Sequence, residues 1–164
     1  MKDAMGGTWL TGLVIIFIAL FAGFLAYSIS YTKAFRAKNE IINIIEKNEG
    51  FTYSSDSARL HDFNLEQLKT DTSTEGKAFA FIKALGYDYD TAEQAGCNGD
   101  GKMQNGGYCL KKFCPTDGNG KIYYKVTTFI ALTIPVIEVT VKLPIAGETK
   151  TMFYDVTGSL NCNE

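Results

Sequence analysis

From Ala4 to Thr32 the chain carries no charged side chain, and the hydrophobic heart of this run, WLTGLVIIFIALFAGFLAYSI, fills the 21 residues from Trp9 to Ile29. At about 1.5 Å per residue, a helix of that length spans a hydrocarbon core of roughly 30 Å. No proline or glycine follows until Gly50. One helix of roughly 40 residues, near 60 Å long, is therefore predicted from about Trp9 to Asn48, half in lipid and half beyond it. A cleaved signal peptide needs an apolar region of only about 7 to 15 residues and a small-residue site such as Ala26-Tyr27-Ser28. A retained anchor fits better, because helix-compatible sequence runs straight through that cut.

The outer half of the helix carries Ile41, Ile42, Ile44 and Ile45, an apolar face that continues from Tyr27, Tyr31 and Phe35 at steps near four. Lys47 suits a last turn, and Gly50 is the expected stop. This amphipathic face needs a partner, either the chain's own globular part or identical helices of neighbouring subunits, and Ile42 and Ile45 are candidate packing residues. Inside the membrane run, Ala19 and Gly23, and likewise Ala22 and Ala26, stand four apart, a spacing that lets helix backbones approach closely.

Residues 1–50 are thus expected to form the transmembrane and extended amphipathic helix, and residues 51–164 an α+β domain. FTYSSDSAR is a polar connector, RLHDFNLEQLK a short helical pattern, and EGKAFAFIKALGYD a clearer one, with Ala78, Phe79, Ile82 and Leu85 on one face and Gly86 closing it. AGCNGDGKMQNGG (95–107) is expected to be a glycine-rich loop and 108–113 a short strand, followed by a PTDGNG turn. KIYYKVTTFIALTI, VIEVTVKL and TKTMFYDV are rich in β-branched and aromatic residues and separated by Pro135 and by PIAGE, which predicts an antiparallel meander with helices covering its apolar face.

Cys97, Cys109, Cys114 and Cys162 all follow the anchor. Their spacing lacks the paired C-x2-C knuckles of a structural zinc site, and an even count in a glycine-rich region suits two disulfides on an oxidising side of the membrane. If 108–113 is a strand reaching Cys114, Cys109 and Cys114 point to opposite faces and do not pair with each other. Cys97 with Cys114 and Cys109 with Cys162 is the expected pairing among the connectivities that remain. Lys33, Arg36 and Lys38 against Lys2 and the α-amine lean toward a cytoplasmic domain by the positive-inside rule. The cysteines lean outward, and the extracytoplasmic side is expected.

A net charge of −2 offers no basic field for nucleic acid, and the sequence shows no aromatic-plus-basic cluster for base stacking. No catalytic triad is recognisable around the single histidine, His61. Asp117 and Asn119 resemble the start of a calcium loop, but Thr128 stands where the twelfth-position acid is required. Asp88 and Asp90 read as a solvated turn. No catalytic residue, metal site or cofactor is expected, and the chain is not expected to be an enzyme.

GLVIIFIALFAGFLAYSISYTKAFRAKNEIINIIEKNEG resembles the long helix of TadE-like minor pilins and pseudopilins of tight-adherence, type IV-related pilus systems. TTFIALTIPVIEVTVKLPIAGETKTMFY resembles the strand region of related bacterial proteins, through Pro135, Pro144, Ile145, Gly147, Glu148, Thr149 and Lys150. The resemblance implies a membrane-held subunit of a surface filament or secretion pseudopilus, whose partners are other pilin-like subunits or assembly-machinery proteins. It further implies cleavage by a prepilin peptidase, for which Gly6-Gly7 is the candidate site. Such pilins usually carry a glutamate about five residues into the mature helix; here that count from Thr8 reaches Gly12. The alternative is a single-pass anchored binding module that does not polymerise.

Overall fold

A single helix, α1, runs from Lys2 to Lys47 without a break. The computed structural model describes residues 2–55, 60, 64, 66, 70–114, 121–134 and 139–153. The helical pattern read at 59–69, His61, the turn at 115–120 and Cys162 lie outside the described residues, apart from positions 60, 64 and 66 of the first.

The stop of α1 differs in detail from the expected glycine cap. Glu49, not Gly50, takes the left-handed conformation (φ 52), its N–H bonding the Glu46 carbonyl while the Gly50 N–H bonds that of Ile45. These are the two bonds of a Schellman ending, and they satisfy carbonyls that the helix would otherwise leave open. Helix α2 (Thr74–Leu85) ends the same way, with Gly86 left-handed and the Tyr87 N–H on the Ile82 carbonyl; the Ser73 side chain caps its start. A short helix α3, Tyr89–Glu93, begins at Asp88, whose carboxylate accepts from the Thr91 N–H.

The sheet is antiparallel, in the order β1 (Lys102–Gln104), β2 (Tyr108–Phe113), β3 (Lys121–Ile134), β4 (Val139–Glu148). The sequence expectation of a simple meander needs three corrections. The glycine-rich stretch contains β1, which pairs with Tyr108–Leu110 of the next strand. The PIAGE segment does not separate strands but belongs to β4, with Pro144 opposite Phe129. Because β4 is an edge strand, the missing N–H of a proline can be tolerated there. A fifth strand, β5 (Met152–Phe153), pairs with Lys121 and Ile122 of β3 rather than with β4.

The core lies where the outer half of α1 crosses the sheet. Ala34, Ala37, Ile41 and Ile45, at steps of three and four, are completely buried with Val126, Tyr108, Ala78 and Ile82. Gly147, the cross-strand neighbour of Val126, is pressed against Ile42 and Lys38, which identifies the face of the sheet that meets the helix. Thr128 completes the seam by donating its hydroxyl to the Ala34 carbonyl at 3.0 Å.

On the sheet's other face lies the 94–101 loop. Residues Cys97 to Asp100 form a tight turn closed by the Asp100 N–H on the Cys97 carbonyl, with Asn98 (φ 40) and Gly99 (φ 89) both in the left-handed region as a type I′ turn requires. Lys125 pairs with Asp100 at 2.7 Å, and the Lys111 ammonium donates to the Gly99 carbonyl.

Candidate functional surface

The N-terminal half of α1 projects from the domain with its apolar side chains bare, from Trp9 (79% exposed) through Phe24 (64%) to Leu25 (47%). By length and composition this helix can cross a membrane. Its few polar side chains fit that role, since Thr11, Ser28 and Thr32 each donate a hydroxyl hydrogen bond to the carbonyl four residues back. In lipid, where water cannot satisfy them, such internal bonds remove the cost of the hydroxyls.

At the end of the uncharged run the chemistry changes within two turns. Tyr27, Tyr31 and Phe35 stack along one side, with ring centroids 6.3 and 6.0 Å apart. Amphipathic rings followed by cations suit a membrane–water boundary. Lys33 donates to the Gly86 carbonyl at 2.9 Å, and the Lys38 ammonium sits 4.4 Å above the Phe35 ring. Helix and domain are thereby joined at the level where charge first becomes affordable.

The residues singled out in the sequence fall as follows. Gly6 and Gly7 lie in the first turns of α1, and a side chain built on Gly7 or on Gly12 would meet nothing. Ala19, Ala22, Gly23 and Ala26 are all exposed. Ile45 is buried in the domain's core, while Ile42 is partly buried against it. Cys97 pairs with Cys109, which corrects the expected pairing with Cys114. The tight turn at 97–100 brings Cys97 over β2 beside Cys109, whereas Cys114 follows the far end of that strand. Cys114 is disulfide-bonded as well.

A second feature escaped the sequence reading. A cleft of about 430 Å³ is lined by Tyr53, Glu75, Glu93, Lys102, Gln104 and Asn105, among others. Glu75, only 1% exposed, accepts from the Asn105 side chain at 2.8 Å and from the Ser54 N–H at 2.9 Å, so it pins the connector after α1 and the β1–β2 turn to the start of α2. Beside it, burial and the Glu75 charge push the Tyr108 phenol well above its ordinary pKa. The only sequence signal was an acid in the first turn of a helix, which is common on surfaces. These hydrogen bonds make Glu75 a structural acceptor. Among the described residues no group of three histidine, cysteine, aspartate or glutamate side chains could hold a metal.

Compared with known proteins, the chain matches no family model, no curated protein and no solved structure.

Proposed function

We propose that this protein is a membrane-anchored, pilin-like structural subunit that contributes to assembly of a surface pilus or a secretion pseudopilus, with its domain on the extracytoplasmic side. The observation that carries this reading is the division of labour along α1. One unbroken helix exposes an apolar half of membrane-spanning length and commits its other half to the core of a small disulfide-bonded α+β domain. A cleavable anchor would leave the domain without Ala34, Ala37, Ile41 and Ile45 only if the cut fell far into the helix. Removal of a short leader at Gly6-Gly7 leaves the whole architecture intact.

The second reading, an anchored binding module that never polymerises, draws on Gly12 and on the lack of any acid between Ala4 and Thr32. N-terminal sequencing of the membrane-extracted protein separates the two. A processed subunit begins at Gly7 or Thr8. An intact Met1-Lys2 terminus in cells with an active prepilin peptidase overturns the filament reading in favour of the module.

A further inference from the structure

Lys38 is enclosed without an opposite charge. The residue is only 9% exposed. Its stem passes over Gly147 of β4, where a Cβ would stand just 3.0 Å from the Lys38 Cδ. The ammonium rests 4.4 Å above the Phe35 ring, and among the described residues no carboxylate, carbonyl or hydroxyl accepts from it. The acids that follow on α1 and the one on β4 are committed elsewhere. Glu40 holds the Asn43 amide, Glu46 pairs with Lys150, and Glu148 stands beside Lys125 on the sheet's other face. A ring face offsets part of the ammonium's lost hydration but supplies no counter-charge. Burying a cation unpaired is costly, so an anion is expected to complete the site. The ammonium is open to one: among the described residues the enclosed, unpaired side-chain atoms are the Tyr108 and Thr127 hydroxyls, and Lys38 Nζ is not with them.

The level of the ammonium along α1 says which anion. The apolar heart of the helix ends at Ile29, and beyond the hydrocarbon each headgroup layer is about 5 to 7 Å deep. Phe35 lies six residues further on, about 9 Å at the helix rise. Side chains on a helix lean toward its N-terminus, and here the lean is visible, because the Phe35 ring stacks on Tyr31 and the Lys38 ammonium reaches back over Phe35. The charge is thereby carried down to the headgroup layer, although the Lys38 backbone lies above it. Tyr31 and Phe35, exposed on the same side of the helix, lie directly on the membrane side of the ammonium. Between Ala4 and Asn39 the charged residues are Lys33, Arg36 and Lys38, all positive.

We propose that the Lys38 ammonium, on the Tyr31–Phe35 side of α1, binds the phosphate of an anionic phospholipid. This rests on the reading that α1 spans the bilayer. A phosphodiester supplies the negative oxygens that Lys38 lacks, at the depth where the ammonium stands, and the acyl chains of the same molecule can pass along the two exposed rings. The lipid is anionic because a zwitterionic headgroup brings its own cation into a stretch of helix that already carries three. A free phosphate shares the oxygens but has nothing to lay against Tyr31 and Phe35. Occupied, the site sets the depth at which the domain rides on the bilayer, and it holds the lipid on the side of the helix that faces β4.

The test uses the full chain in a mild detergent, titrated with dioleoyl phosphatidylglycerol or phosphatidylcholine while bound lipid is counted by native mass spectrometry. The unmodified protein is expected to keep phosphatidylglycerol at concentrations where phosphatidylcholine is lost. Lys38→Gln should lose about fivefold of that preference, the weight of one lysine at an anionic surface, and Lys38→Arg should retain it. Lys47→Gln, which removes an exposed cation about 14 Å further along the helix, should behave as the unmodified chain. Thermal unfolding gives a second readout: phosphatidylglycerol should raise the midpoint of the unmodified protein and leave that of Lys38→Gln unmoved. Equal retention of the two lipids by the unmodified protein overturns the site, whatever the variants do. A lower midpoint for Lys38→Gln in detergent with an unchanged lipid preference makes Lys38 a packing residue and overturns it too. Inorganic phosphate that raises the midpoint as far as the lipid does assigns the ammonium to a free anion and overturns the lipid. Trp9, the chain's only tryptophan, reports the anchor separately in vesicles with brominated acyl chains: quenching there without any effect at Lys38 leaves the anchor standing and the site overturned, and absence of quenching removes both.

Discussion

Tyr87 and Tyr108 are both buried phenols that use their hydroxyls in opposite ways. The Tyr87 oxygen accepts from the Phe129 N–H at 2.8 Å and its hydrogen goes to the Gly107 carbonyl, so one side chain satisfies two backbone groups where β3 runs on past the start of β2. The Tyr108 hydroxyl has no hydrogen-bond partner among the described residues. Tyr87→Phe is therefore expected to cost about 1 to 3 kcal/mol by stranding those groups, while Tyr108→Phe is expected to be neutral or stabilising. Chemical unfolding of both variants in the same detergent compares them directly. Burial raises the Tyr87 and Tyr108 pKa values above the ordinary 10.0, and does so for Tyr124 as well. Above that ordinary value the unfolded chain loses tyrosine protons that the folded chain keeps, so stability is full below about pH 10 and falls as pH rises further. Alkaline titration followed by tyrosinate absorbance should show these phenols ionising only together with unfolding. None of this was visible beforehand, because the partners of Tyr87 are backbone groups brought to it from residues 107 and 129.

Among the elements, α1, α2 and β3 were legible because their signals are local: an uncharged run of membrane length, a helical face closed by a glycine, and fourteen residues of strand formers. Features set by register were not. The placement of Pro144 within β4, the pairing of β5 with β3 and the partner of Cys97 all depend on which residue ends up opposite which. The same holds for the join between helix and sheet. Ile45→Ala, deep in that join, is expected to cost about 2 to 5 kcal/mol and to make the domain protease-sensitive without releasing the protein from the membrane. Opening the Cys97–Cys109 bridge by Cys109→Ser should cost about 3 kcal/mol on the loop-entropy scale for a loop of this size. Limited proteolysis should then cut first within residues 94–101, where the Asp100–Lys125 pair and the Lys111–Gly99 hydrogen bond are left as surface tethers.

At the scale of the whole molecule, the helix and the domain fold as one object, since the core takes Ala34, Ala37, Ile41 and Ile45 from α1. A chain beginning at Ser28 should fold to a soluble, disulfide-bonded domain, whereas one beginning at Gly50 should not fold at all; circular dichroism and protease resistance of the two products check this. Residues 1–50 and 51–164, separable on paper, share their interior. The seam between them also has a mechanical meaning. The outer half of α1 lies alongside β3 rather than meeting it end-on, with Thr128 on Ala34 and Gly147 on Ile42 as successive points of attachment. Tension applied to the domain and resisted by the anchored segment would load all of these contacts at once, in shear, instead of peeling them one by one. No proline breaks the helix between Lys2 and Lys47 to act as a hinge, so a pull on the domain would pass straight along the helix into its exposed apolar half.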